Sequence, residues 1–132
     1  MVKKCLVLII DDNEDFQNLY GMVAEQAGFD VERVYDGREA LERLERDPIP
    51  TIVLLDSRLP VAEGDEILKA ARLNEKWSHV PIYMLTADLR VSKRYKDFSP
   101  GDPQPDGVIE KGAESIHQLR KLFKQYEGKM DA

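Results

Sequence analysis

Cysteine occurs once in the 132 residues, at Cys5, which excludes an internal disulfide. Its place inside an apolar run marks it as a small core side chain. Histidine occurs twice, at His79 and His117. Both lie outside the chemistry-bearing motifs described below and read as surface residues, offering neither a metal site nor a phosphate-donating side chain. Long apolar runs are absent: none approaches the ~18 residues of a membrane span, so membrane insertion is not expected. The start superficially resembles a secretion signal, with Lys3 and Lys4 ahead of residues 5–10 (CLVLII). That stretch is too short, and an acidic run follows at 11–15 with no small-residue cleavage site, so a signal peptide is rejected and a cytoplasmic location expected. Basic charge is in deficit as well. Nineteen Lys and Arg against 25 Asp and Glu leave a net charge of −6, which disfavours non-specific binding to nucleic acid or anionic membrane. There is no P-loop pattern, no internal repeat and no low-complexity segment.

What remains is the composition of one soluble globular domain with a real core, 42% hydrophobic and 33% charged. Its most informative feature is a set of four short apolar runs, each ending in a residue suited to phosphoryl chemistry. Residues 5–10 end at Asp11 and Asp12. Residues 51–55 (TIVLL) end at Asp56, residues 81–85 (PIYML) at Thr86, and residues 108–109 (VI) are followed by Glu110 and Lys111. Such runs, rich in Val, Ile and Leu with little alternation, read as strands buried on both faces. If the strands are parallel, their C-terminal ends share the edge where open α/β sheets place ligands. Three carboxylates, a hydroxyl and an ammonium then converge on one crevice.

Helices alternate with these strands. Phe16, Leu19, Tyr20, Val23 and Ala27 follow amphipathic spacing over 13–27, and Gly28 is placed to end that helix. A strand at 29–35, a turn at Asp36 and Gly37, and a helix over 38–46 come next. A loop at 57–64 leads to a helix over 65–74 with Ile67, Leu68 and Ala71 inward. A last helix spans 113–126, with Ile116, Leu119, Leu122 and Phe123 on one face. Trp77 and Tyr83 read as packing residues, and the charge run at 42–47 as a solvated helix face. Between Thr86 and Lys111 only 91–98 can be helical, because 99–107 (SPGDPQPDG) holds three prolines and two glycines. The expectation is an α/β, doubly wound, five-stranded parallel sheet, flavodoxin-like (β/α)5, with a shortened fourth helix.

Taken singly, Asp11 or Asp12 reads equally well as a helix cap and Asp56 as a turn residue. Thr86 and Lys111 alone would be solvated loop residues. Their joint occurrence at four strand ends favours a site. It also resembles a known family. Ile10-Asp11-Asp12-Asn13, Leu54-Leu55-Asp56 with Leu59-Pro60 and Gly64, Thr86-Ala87 and Lys111 resemble, in order and spacing, the motifs of the response-regulator receiver domain of two-component signalling, in the manner of single-domain chemotaxis-type regulators. The resemblance covers residues 3–127; the domain is taken as 1–127, with a tail at 128–132 too short to fold alone. A stand-alone receiver and a domain excised from a longer protein both stay open.

The resemblance implies a phosphorylatable switch rather than an enzyme acting on a separate substrate. Asp56 would accept a phosphoryl group from a histidine kinase or phosphotransfer protein, with Mg2+ neutralising charge. Asp12 and Asp56 would bind Mg2+ directly, the Arg58 backbone carbonyl would be a third ligand, and Asp11 would help directly or through water. Lys111 would pair with one phosphoryl oxygen and Thr86 would donate to another. Arg58 and Asp88 should point over the pocket, where pairing would screen an acyl phosphate from water. Three departures bear on output. Val108 stands where many receivers have an aromatic switch residue. Gly112 stands where a proline in a cis bond commonly follows the lysine, so a trans path is expected. The proline-rich stretch alters the face many members use for partners. A pseudo-receiver that binds partners regardless of phosphate is therefore the alternative. A haloacid-dehalogenase-type phosphatase would need Asp-x-Asp after the first strand, which Asp11-Asp12-Asn13 lacks. A flavin phosphate would meet an acidic loop.

Overall fold

The computed structural model describes residues 5–59, 64–88, 90 and 104–127. Five strands and, among the described residues, four helices alternate: β1 (Leu6–Ile10), α1 (Glu14–Gln26), β2 (Asp30–Val34), α2 (Gly37–Arg43), β3 (Ile52–Asp56), α3 (Gly64–Leu73), β4 (Ile82–Thr86), β5 (Gly107–Glu110) and α4 (Ser115–Glu127). Every neighbouring pair is parallel, in the order β2-β1-β3-β4-β5. The expected doubly wound, flavodoxin-like sheet is what the chain forms. The expected short helix over 91–98 lies outside the described residues.

Alternation along the central strands divides the interior into two cores. Leu8, Ile10, Val53, Leu55 and Met84 pack with Ile67, Leu68 and Ala71 of α3. Val7, Ile9, Ile52, Leu54 and Leu85 pack with Tyr20 and Val23 of α1 and with Leu119, Leu122 and Phe123 of α4. All five residues of β3 are buried, so cutting Leu54 or Leu55 to Ala costs about 2–5 kcal/mol.

The helix ends follow local chemistry. Asn13, not either aspartate, caps α1, its side chain accepting from the Phe16 amide; Asp11 and Asp12 are thereby left for other work. Gly28, with φ of 92°, takes the left-handed turn that stops the helix. Asp36 caps α2 by accepting from the Glu39 amide.

Three expectations need correction. Leu19 of α1 is exposed, while the polar Gln17 is fully buried, so the inward face is rotated from the apolar stripe. The charge run at 42–47 is not a uniformly solvated helix face. Arg43 is 1% exposed, α2 ends there, and its guanidinium lies over the Trp77 ring while bonding Glu32, the Arg46 carbonyl and the Pro48 carbonyl. Gly112, finally, needs no glycine freedom: it lies outside the left-handed region, and an added Cβ would meet nothing within 4 Å. The expected trans path at the Lys111–Gly112 bond does hold.

Candidate functional site

Parallel pairing extends three strands one residue beyond the apolar runs. Asp56 is the last residue of β3 and sits opposite Leu85; Thr86 is the last of β4 and sits opposite Glu110. The Lys111 amide then donates to the Thr86 carbonyl at 2.7 Å, and the Ser57 amide to the Leu85 carbonyl at 3.0 Å. Asp56 and Thr86 are therefore fixed by the ladder, and Lys111 by a backbone bond one residue beyond it. Gly64 opens α3 against Asp56 so closely that an added Cβ would lie 2.6 Å from the Asp56 carbonyl oxygen. Glycine is required by that approach.

The acidic and basic groups meet where expected. Ligand oxygens of Asp11, Asp12 and Asp56 lie within 4.8 Å of one another. Asp11 is fully buried and Asp56 nearly so, while Asp12 is exposed. Lys111 Nζ lies 2.8 Å from Asp11 Oδ2, 3.5 Å from Asp56 Oδ1 and 4.3 Å from the centre of the Phe16 ring. Asp11 Oδ2 accepts no hydrogen bond of good angle, so its partner is the charge of Lys111 rather than a directed donor. Asp11 Oδ1 accepts from the Asn13 amide, and Asp56 Oδ1 from the Arg58 amide at 3.3 Å. One ammonium serves a cluster of three carboxylates and touches two of them. Burial first, and the Asp11 charge second, raise the Asp56 carboxyl to about 7, against the opposing pull of Lys111 and the Arg58 amide.

Thr86 is buried, and its hydroxyl is saturated. It accepts from Ser57 Oγ at 3.1 Å and from the Asp88 amide at 2.9 Å, and it donates to the Asp88 carbonyl at 3.3 Å. Over the mouth, Arg58 Nη2 lies 3.1 Å from Asp88 Oδ2, as the sequence suggested. A second arginine, Arg90, reaches the same carboxylate at 3.2 Å. Its hydrogen bonds, with the Arg58 charge a lesser contribution, hold Asp88 below the usual carboxylate range. Val108 is half-buried, a small aliphatic group packed against the α3-side core. Together Asp12, Phe16, Asp56, Thr86, Asp88 and Lys111 help line an open cleft of about 640 Å³.

Sequence reasoning missed Ser57, Arg90 and the role of Phe16 beneath the lysine. Ser57 carried no signal beyond adjacency to Asp56, and Phe16 was counted only as a helix-face residue. The oxygen-only donor set of the carboxylate cluster suits a hard divalent cation.

A doubly wound parallel sheet with an acidic cluster at its β1/β3 switch point defines the class: a flavodoxin-like α/β domain with carboxylates and a lysine gathered at its ligand edge. Residues 7–102 match the response regulator receiver domain family, and the chain belongs to that family, the receivers of two-component systems. Among relatives, the chain is 35% identical over 81 residues to the polar-differentiation response regulator DivK of Brucella ovis, covering 61% of this chain and 65% of DivK. It is 30% identical over 95 residues to the DNA-binding dual master transcriptional regulator RpaA of Synechocystis, covering 72% of this chain and 39% of RpaA. The chain thus spans less than two thirds of either relative. Among solved structures, the receiver domain of sensor histidine kinase PA1611 from Pseudomonas aeruginosa, with magnesium coordinated in its active-site cleft, superposes with a TM-score of 0.79 at 25% identity, over 95% of this chain and 98% of that one. Chemotaxis response regulator CheY4 of Vibrio cholerae gives a TM-score of 0.78 at 26% identity, over 93% and 98%. No helix among the described residues is long and apolar enough to cross a membrane.

Proposed function

We propose that the chain is a phosphoacceptor switch of a two-component phosphorelay, with Asp56 as the acceptor. The observation that carries this reading is the Asp11–Asp12–Asp56 cluster held against Lys111 at the C-terminal edge of the sheet. The receiver would extend over 1–127, because Lys111, β5 and α4 lie beyond the matched stretch and complete the site and its supporting core; residues 128–132 would be a tail.

An Asp56 carboxylate oxygen attacks the phosphorus of a phosphohistidine on a histidine kinase or phosphotransfer protein. The O–P bond of an acyl phosphate forms, the P–N bond breaks, and its electron pair stays on the imidazole nitrogen. Lys111 would bind a phosphoryl oxygen once that oxygen competes with Asp11 for its charge. Thr86 can donate to another oxygen after giving up its bond to the Asp88 carbonyl. Asp11, Asp12, Asp56 and the Arg58 carbonyl would hold Mg2+, which supplies charge neutralisation when bound. Burial and the Asp11 charge raise the Asp56 carboxyl to about 7, so the anionic form able to attack grows as pH rises through that value. Arg58 and Asp88 would modulate the lifetime of the adduct. With Val108 at the switch position, output would run through Thr86 and its loop without rotation of an aromatic ring.

The test is intact mass after incubation with Mg2+ and acetyl phosphate. One added phosphoryl group is expected, lost in Asp56→Ala and lost on chelation. No adduct together with no Mg2+ binding would overturn the reading and leave a module that binds partners independently of phosphate.

A further inference from the structure

Gln17 is a polar side chain in a place where the packing of α1 asks for an apolar one. It is 0% exposed, and its Oε1 is buried with no partner, a cost an aliphatic residue of similar length would avoid. Its amide nitrogen, by contrast, is heavily used. Nε2 lies 2.9 Å from the Ile9 carbonyl oxygen, 3.0 Å from that of Asp11 and 2.8 Å from that of Val34. A primary amide has two N–H groups, so at least one of them is shared between carbonyls.

The three carbonyls stand where the β1–β2 ladder runs out. The last ladder pair is Ile10 with Val34, and the Asp11 amide already donates to Val34. Gln17 closes the frayed end from the side. The Asp11 carbonyl belongs to the peptide unit that joins Asp11 to Asp12, the two neighbouring carboxylates of the site. An uncompensated change in ψ of Asp11 or φ of Asp12 would redirect one side chain relative to the other, and the Gln17 bond to the carbonyl between them resists it.

From this we infer that Gln17 is a positioning residue for the cation site, acting through the peptide between Asp11 and Asp12 without touching the ligand itself. The inference rests on the receiver reading of the site. Outer residues that orient metal ligands typically change affinity by 10–100-fold when replaced, and a residue that only filled space would change stability alone.

The deciding variant is Gln17→Met, which keeps length and volume and removes both donors. Mg2+ affinity is measured by calorimetry at about pH 8, well below the melting temperature of each protein. A dissociation constant weakened about tenfold, with wild-type phosphoryl uptake restored at saturating Mg2+, is the expected result. An affinity within about twofold of wild type, whatever the melting temperature, would overturn the inference and leave Gln17 as a packing residue. Should Gln17→Met fail to fold, Gln17→Asn is read in its place. It keeps the donors with one methylene less reach, and it too should weaken Mg2+ binding; unchanged affinity there overturns the inference equally. Absence of Mg2+ binding by the wild-type chain is a separate result, one that removes the receiver reading of the site itself.

Discussion

The two edges of the sheet bury charge in opposite ways. At the C-terminal edge, Asp11 and Asp56 are buried with one ammonium between them, and Asp11 Oδ2 takes no directed hydrogen bond. At the N-terminal edge the buried charge is cationic and fully matched. Arg43 places Nε on Glu32 at 2.7 Å, Nη1 on the Arg46 carbonyl at 2.8 Å and Nη2 on the Pro48 carbonyl at 2.6 Å. Arg72 of α3 does the same for the loops ahead of β4 and β5, bonding the Ser78, Val80 and Gln104 carbonyls and Asp106. A guanidinium offers five donors in a rigid fork, enough to satisfy several loop carbonyls at once. The lesson is that the matched edge is built to stay as it is. The mismatched edge holds negative charge in excess of its partners, and a bound cation would relieve the imbalance.

The sharpest way to break this contrast is at Arg43. Arg43→Ala would leave two loop carbonyls without their donor, a void beside Trp77 and a Glu32 with only the 3.9 Å contact of the exposed Arg46. Glu32 is partly exposed and can rehydrate, which lowers the cost below that of a fully buried pair. A loss of about 3 kcal/mol in urea unfolding is expected, with Mg2+ affinity unchanged in the folded protein. Weakened Mg2+ binding in this variant would mean the two edges are coupled and the division of labour is wrong.

That contrast also explains what was legible in the sequence. The strand alternation, the sheet and the site aspartates, threonine and lysine were readable because each rests on a local signal, an apolar run ending in a polar residue. Arg43 and Gln17 were not, because a buried polar residue is recognised only by partners distant in sequence. For Gln17 these are the carbonyls of β1 and β2, and for Arg43 Glu32 and Trp77. Leu19 misled for the complementary reason: helical spacing gives the width of an apolar stripe more reliably than its rotation. Asp56 and Thr86 read as post-strand residues but belong to the ladder, since pairing with Leu85 and Glu110 depends on register.

A second measurement concerns the mismatched edge alone. The Asp56 carboxyl stands at about 7 in the folded chain against 3.8 for the free group. The folded state therefore holds a proton that the unfolded chain releases. The stability this contributes is complete below about 3.8 and is lost as pH rises towards about 7. In chelator, the melting temperature of wild type relative to Asp56→Asn should fall between about pH 5 and pH 8. Mg2+ binding runs the other way, because the ion competes with that proton. A single carboxyl titrating at about 7 is roughly one-tenth ionised at pH 6 and nine-tenths at pH 8, so affinity should weaken about tenfold on acidification over that range. A flat Mg2+ profile between those two values would show that Asp56 is ionised throughout and that the imbalance is smaller than the geometry implies.

The smallest effect is expected at the mouth of the cleft, where the ion pair is exposed and neither edge's logic applies in full. Arg58 is 69% exposed and Asp88 20%, and water screens pairs of this kind so that they add little to stability. Arg58→Ala should therefore leave unfolding within error of wild type. Its consequence lies in the adduct: with the guanidinium removed, water reaches the phosphoryl group of Asp56 more easily, and the lifetime should shorten. Asp88 keeps its second partner, Arg90, so the loop after Thr86 stays held and the change is limited to about two- to threefold. The comparison is the decay of the mass-detected adduct after the phosphodonor is removed, in wild type and variant at saturating Mg2+. Equal lifetimes would mean that the Arg58–Asp88 pair does not screen the acyl phosphate, and that access of water is set by the buried residues below it.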